Sequence, residues 1–152
     1  MAVTMTLYGK LPANMAGGET GGESSKIDWI SDAIKVALFT ASYTPAQDTD
    51  ELYSALTNEV ASGNGYTTGG NACANPTVVY TAGSNLVTFD ADNPATWTCA
   101  TAAWSFRYCV LYDSTSSVLV GYCDYGTTLT LNPGDTFTFS FSASGAFTTT
   151  VP

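Results

Sequence analysis

From residue 77 onward the chain alternates with a period of two, broken by turns roughly every 8–12 residues. The clearest stretch is TFTFSFS at 136–142. In an extended strand its Phe137, Phe139 and Phe141 point to one side and the hydroxyls to the other. A helix would scatter the same rings around its circumference. TVVY (77–80) and LVTFD (86–90) flank TAGSN, a hairpin pattern. AWSFRYCVLYD (103–113) and SVLVGYCDYG (117–126) flank a second turn. TLTL (128–131) and TFTFSFSA (136–143) flank NPGD and predict a third hairpin, and residues 146–151, ending FTTTV, close the chain. Many short strands of this kind predict an all-β fold, an antiparallel β-sandwich of the immunoglobulin-like (Ig-like) or jelly-roll-like type.

The first half is less regular. VTMTLY (3–8) is β-prone, but PANMAGGETGGESSK (12–26) holds four glycines and little that is apolar. This divides the chain into a flexible N-terminal arm with a Gly-rich loop, 1–26, and a β-sandwich domain, 27–152. IKVALFTASY (34–43) is mostly apolar, stops at Tyr43-Thr44-Pro45, and predicts a buried strand. DTDE (48–51) resembles a helix start, with Asp48 as cap and Glu51 at the third position of a capping box. Leu52 and Leu56 then share a face, so 49–57 is the one short helix expected. GNGYTTGG (63–70) predicts turns or bulges, because glycine tolerates positive φ.

Composition narrows function. Charged residues make up 11% of the chain, against roughly 25% in ordinary soluble domains. A surface this neutral suits burial by other subunits, since interface cores are depleted in charge. Four basic residues (Lys10, Lys26, Lys35 and Arg107) face thirteen acidic ones, a net charge of −9. They cannot form the cationic stripe that nucleic acid requires. There is no histidine, which removes imidazole-based catalysis and imidazole metal sites. No stretch approaches the roughly 18 apolar residues of a membrane span. MAVTMTLYGK lacks the basic-then-apolar pattern of a signal peptide. The reading is therefore no catalytic residues, no cofactor, no nucleic acid and no membrane.

The segment RYCVLYDSTSSVLVGYC (107–123) is the most informative hairpin. Strict alternation puts Trp104, Phe106, Tyr108, Val110 and Tyr112 on one face, and Arg107, Cys109, Leu111 and Asp113 on the other. Two unbroken registers compete, and a slip of one residue exchanges every partner. A four-residue loop, 114–117, sets Asp113 against Val118, Arg107 against Asp124 and Cys109 against Tyr122, with the two cysteines on opposite faces. A five-residue loop, 114–118, sets Cys109 against Cys123. An opposed Arg–Asp pair contributes roughly 0.2–1 kcal/mol, which favours the first register and makes Arg107 and Asp124 a structural pair. Cys109 and Cys123 are then free thiols packed as small hydrophobes. Cys73 and Cys99 are candidates for a disulfide across a loop mouth, set against free thiols by the redox compartment. No C-x-x-C pair is present, which argues against zinc. The carboxylate groups Asp48/Asp50/Glu51 and Asp90/Asp92 with Asn93 could be read as calcium ligands. Helix capping and an Asx turn account for them more simply.

The ordered string IDWISDAIKVALFTASYTPAQDTDELYSALTNEV, GYTTGG, TFDADNPATWT, RYCVLYD and LVGYCDYG resembles a family of small structural proteins of tailed bacteriophages. In that family a lysine-containing apolar strand ending S-Y-T-P is followed by an acidic helical start and N-E-V. A G-Y-x-x-G-G turn, an F-D-A-D-x-x-x-W segment and two Tyr-rich strands come next. The resemblance covers about residues 27–126, and neither the four cysteines nor the Gly-rich 16–25 belongs to the pattern. It implies a virion structural protein without enzymatic activity, assembled in the host cytoplasm. The leading form is a head decoration or capsid-stabilising protein. It would be a homo-oligomer bound to the major capsid protein or other virion proteins. The alternative is a tail, fibre or baseplate module binding a host-surface glycan, with Trp29, Trp97 and Trp104 as stacking platforms. Exposure of Trp97 is the feature that would favour it.

Overall fold

The computed structural model of the protein describes residues 4–17 and 26–150. The fold is all-β and sandwich-like, with several antiparallel sheets and one short α-helix. Its strands are β1 (Met5–Leu7), β2 (Ile34–Phe39), β3 (Asn71–Ala72), β4 (Thr77–Thr81), β5 (Leu86–Asp90), β6 (Trp97–Thr98), β7 (Trp104–Asp113), β8 (Leu119–Leu131), β9 (Thr136–Phe137) and β10 (Phe147–Thr150). The helix, α1, is Leu11–Met15. The main sheet runs β1-β8-β7-β2-β3; a second runs β10-β5-β4, and β6 pairs with β9.

The main sheet buries both faces. Ile34, Val36 and Leu38 alternate inward from β2, toward Phe106, Cys109, Leu111, Val120 and Cys123 and across to Phe89, Trp97 and Phe139. Ala37 and Phe39 point the other way, into a second cluster with Tyr8, Tyr43, Tyr108, Val110, Tyr112 and Leu119. A β2 buried on both faces reads as a continuous apolar run, which is how IKVALF is written.

The segment 5–15, read as part of an arm, is built into the fold. Met5, Thr6 and Leu7 pair with Cys123, Tyr122 and Gly121. Tyr8 and Leu11 are 1% and 2% exposed. Apolar side chains and an otherwise unpaired sheet edge hold it there. The Gly-rich 18–25 lies outside the described residues.

Two expected elements take other forms. The helix over 49–57 is reduced to a 3-10 turn at Tyr53–Ala55. Leu52 is extended, with φ −115° and ψ 133°, and bridges Val118. Leu119 N–H donates to the Glu51 carbonyl and Tyr53 N–H to the Ser117 carbonyl. The backbone groups at the start of β8 thus capture this segment, overriding weak helix propensity. The third hairpin also fails to close. Residues 129–131 continue β8 against Phe106, Ser105 and Trp104, while Thr136 and Phe137 pair with Thr98 and Trp97. Phe139 is still buried, with Phe137 and Phe141 half-buried beside it, so the alternation survives without its expected partner. The β4–β5 hairpin forms as read, with Thr81 opposite Leu86.

Candidate functional site: the central hairpin, the tyrosine network and the exposed edge

The central hairpin uses both registers in turn. At the loop Asp113 N–H donates to the Val118 carbonyl at 2.8 Å, as a four-residue loop requires. The pairing Tyr112–Leu119 then gives way to Leu111–Gly121, leaving Val120 as one extra residue. Beyond that bulge Cys109 lies directly opposite Cys123 and Tyr108 opposite Asp124. The expectation that the cysteines face opposite sides is therefore corrected. A bulge changes the register by one in mid-strand, and neither unbroken register allowed for it. Gly121 fits the spot because β1 passes closely: a Cβ there would lie 2.9 Å from the Thr6 carbonyl oxygen.

A second irregularity sets Tyr125–Thr128 against Arg107, and pairing resumes at Phe106–Leu129. It turns Phe106 to the inner face with Cys109 and Leu111, away from Tyr108 and Val110. The single-face assignment of Trp104, Phe106 and Tyr108 is corrected for the same reason. Arg107 still reaches Asp124, diagonally: Nε donates to Oδ1 at 2.7 Å and a terminal nitrogen to Oδ2 at 2.9 Å. The guanidinium also lies 5.1 Å from the Tyr108 ring centre. The bond from Arg107 holds the Asp124 carboxyl below the usual range, and the same bond raises Arg107.

The thiols are packed away from solvent. All four cysteines are buried and free, Cys73 and Cys99 included, and the structure carries no bridge between those two. Burial, then the neighbouring Cys123, pushes Cys109 well above the ordinary thiol value. Burial alone lifts Cys123 to about 11, and burial with Asp92 lifts Cys73 to about 12. A nucleophilic thiol needs the opposite shift. Cys123 and Tyr125 do line a hollow of about 530 Å³ between β8 and β10, but its other walls are Met, Leu, Phe, Ser, Thr, Ala and Gly residues.

The carboxylates hold loops. Asp50 accepts from the Ala46 N–H at 3.0 Å and the Tyr43 hydroxyl at 3.2 Å. Glu51 pairs with Lys10 Nζ at 2.9 Å rather than completing a capping box, and Asp48 is exposed. Asp92 accepts from Asn75 Nδ2 at 2.6 Å, and Asn93 from the Phe141 N–H at 2.8 Å. Among the described residues, no group of three or more His, Cys, Asp or Glu is placed to hold a metal.

The densest polar cluster centres on Glu59, which the sequence reading did not single out. Its Oε1 accepts from the Tyr66 hydroxyl at 2.6 Å and the Gly69 N–H at 2.7 Å, and its Oε2 from Tyr53. Tyr66 in turn accepts from the Leu38 N–H at 2.9 Å, and Tyr112 donates to the Gly69 carbonyl at 2.8 Å. This latch folds GNGYTTGG onto β2. Gly70, at φ +67°, comes so close that a Cβ would lie 1.9 Å from the Val36 carbonyl oxygen. The GYTTGG glycines were the available signal; the missing part was the acid that receives the turn. Burial foremost, then hydrogen bonds to Glu59, raises the Tyr53 and Tyr66 phenols, and burial lifts Tyr112 to about 12. Raised phenols around one shared carboxylate make a structural clasp.

The tryptophans do not form a platform. Trp97 is 2% and Trp29 4% exposed, and half-buried Trp104 donates its Nε1–H to the Asn64 carbonyl at 3.0 Å. The exposed apolar surface lies elsewhere, on β4. All five residues of this edge strand are exposed, with Val78 at 40%, Val79 at 55% and Tyr80 at 56%. Ile30, at 53%, shares a shallow hollow of about 300 Å³ with Val78, Trp29, Phe89 and Phe147. An exposed, uncharged, apolar edge strand is a template for pairing unless it has a partner. Compared with protein families, curated proteins and solved structures, the chain matches none.

Proposed function

We propose that this protein is a non-catalytic structural subunit of a virion, most specifically a head decoration or capsid-stabilising protein of a tailed bacteriophage. The observation that carries the assembly part is the apolar edge formed by Val78, Val79 and Tyr80 beside Ile30, which bears the exposed large apolar side chains of the described residues. Fully burying a Val-sized side chain contributes about 1.5–3 kcal/mol, so covering this edge favours association. The phage part rests on the ordered resemblance over residues 27–126. Mechanically, a rigid sandwich with a clasped loop system transmits load between neighbours, and the neutral edge supplies the contact. The engaged Glu59 and the raised thiols of Cys73, Cys109 and Cys123 support a structural reading. The burial of Trp97 weighs against the glycan-binding alternative.

Counting copies on purified phage particles tests the reading. Hundreds of copies per particle are the expected result. A handful confined to the tail would sink the decoration role, and absence from particles would sink the virion role.

A further inference from the structure

The exposed edge has a pattern that selects its occupant. β4 reads Thr77-Val78-Val79-Tyr80-Thr81, close to a palindrome of residue classes. We infer that it docks a second copy of the same chain, β4 against β4, antiparallel about a two-fold axis at Val79. This deepens the proposed function by naming the partner of the same hairpin, and it rests on reading that hairpin as an assembly contact.

In this register Thr77 faces Thr81 of the second copy, Val78 faces Tyr80, and Val79 faces Val79. Hydroxyl meets hydroxyl and apolar meets apolar, the pairings that stabilise adjacent strands. A slip of one residue sets Thr against Val or Tyr and turns the second copy over. A two-fold contact must be self-complementary, because each copy offers the same patch. The backbone raises no obstacle, since an antiparallel pair centred on one residue closes whether that residue's N–H points toward the neighbour or away.

Charge favours the same occupant. Each copy carries a net charge of −9, so two copies repel except where charge is absent. β4 contains no carboxylate or amine. The nearest acid in the ladder, Asp90, sits opposite Thr77 at the far end of β5. In the antiparallel dimer the two Asp90 side chains fall at opposite ends of the shared edge. Joining the edges makes one sheet of order β10-β5-β4-β4-β5-β10, with both cores on the same side. Val78 and Tyr80 of the two copies then form one apolar stripe that runs toward the Ile30 hollow.

A five-residue edge is short beside a standard interface of roughly 1,200–2,000 Å². The dimer is therefore weak and reversible for the isolated protein, and strengthened where many copies sit on one particle.

Two variants test this. Val79→Cys puts a thiol at the two-fold axis. Ser84→Cys puts one at the exposed hairpin tip, which the antiparallel arrangement holds far from its mate. With oxidised glutathione as the oxidant, two thiols become one disulfide and glutathione takes up the electrons and protons. Val79→Cys should cross-link at least 10-fold faster than Ser84→Cys. Equal rates, or faster cross-linking at Ser84, overturn the inference. Sedimentation of the unmodified protein should show a concentration-dependent monomer–dimer equilibrium, and Val79→Lys should weaken it at least 10-fold with unchanged circular dichroism. A strict monomer up to about 1 mM, a concentration at which weak encounters are populated, or an unaffected Val79→Lys dimer, overturns it. Copy counting stays independent. A particle-bound protein that fails these tests loses the dimer alone, and a dimer absent from particles removes only the virion reading.

Discussion

The two faces of β7 and β2, and the two faces of β4, are made of similar residues and meet opposite fates. On the outer face of the main sheet, Tyr8, Tyr43, Tyr53 and Tyr112 are packed and hydrogen-bonded to one another, to acids or to backbone, and Tyr108 packs edge-on against Tyr43. On β4, Val78, Val79 and Tyr80 stand in solvent, and Tyr80 bonds only locally, to Asn85. The difference lies in what covers each strand. The main sheet is overlaid by the segments 40–60 and 63–70, whose carboxylates and glycines are shaped to receive phenols. Nothing in the described chain overlays β4. Residue type thus says that a surface wants covering, and the path of the chain says whether it is covered from within.

The sharpest way to break the tyrosine-faced region is alkali. Tyr8, Tyr43, Tyr53, Tyr66 and Tyr112 all have raised phenols, first of all because of burial. A folded-state value above the unfolded value of about 10 means that the neutral form stabilises the fold. That stability is fully present below pH 10 and is lost as the pH rises toward and past 12. The tyrosinate absorbance of these five rings should therefore appear in one step together with unfolding, separate from any contribution of the solvent-exposed Tyr80. Gradual ionisation of these rings in a still-folded protein, seen by near-ultraviolet circular dichroism, would contradict their burial.

Next comes the core that both regions lean on. Phe106→Ala empties a fully buried site beside Phe137 and Tyr125. It should cost about 3–5 kcal/mol in chemical denaturation. Glu59→Ala should cost less, about 1–3 kcal/mol, by leaving the buried Tyr66 hydroxyl without its acceptor. Proteolysis within 63–70 should speed up in that variant as the loop is released. On the exposed side, Val79→Lys should change monomer stability by no more than about 0.5 kcal/mol, because its side chain stands in solvent. A larger loss would show that the edge is covered. The smallest effect belongs to the Arg107–Asp124 pair, which is well exposed. The depressed Asp124 carboxyl stabilises the fold above the ordinary aspartate range, and the contribution fades as pH falls through that range and below. Asp124→Asn should lower neutral-pH stability slightly, leave stability below the aspartate range unchanged, and so flatten that part of the acid limb in a pH–stability curve.

The central hairpin shows where legibility ended. Its strands and its loop could be read from alternation and a polar turn, and so could the four-residue closure at Asp113 and Val118. Its faces could not, because two irregularities intervene. Val120 is one residue too many, and Tyr125–Thr128 face Arg107 as a group. A bulge leaves almost no mark in composition; Gly121 was the only hint. The Arg107–Asp124 contact forms even so, since a long guanidinium reaches a diagonal neighbour as readily as an opposed one. Glu59 was illegible for another reason. Its three donors, Tyr53, Tyr66 and Gly69, sit at separations of six, seven and ten residues along an irregular path, with no periodicity to expose them.

What the sequence by itself determined is the class of fold and its sparse, acidic charge: period-two alternation admits strands and excludes helices, and four cations stand against thirteen acids. It also marked the glycine turn and the β4–β5 hairpin, because φ and turn chemistry are local. Only the tertiary structure decided which strands paired, which face each ring took, and that residues 5–15 close an edge while β4 leaves one open. Those choices depend on backbone groups far apart in the chain finding one another, and no local pattern encodes that meeting.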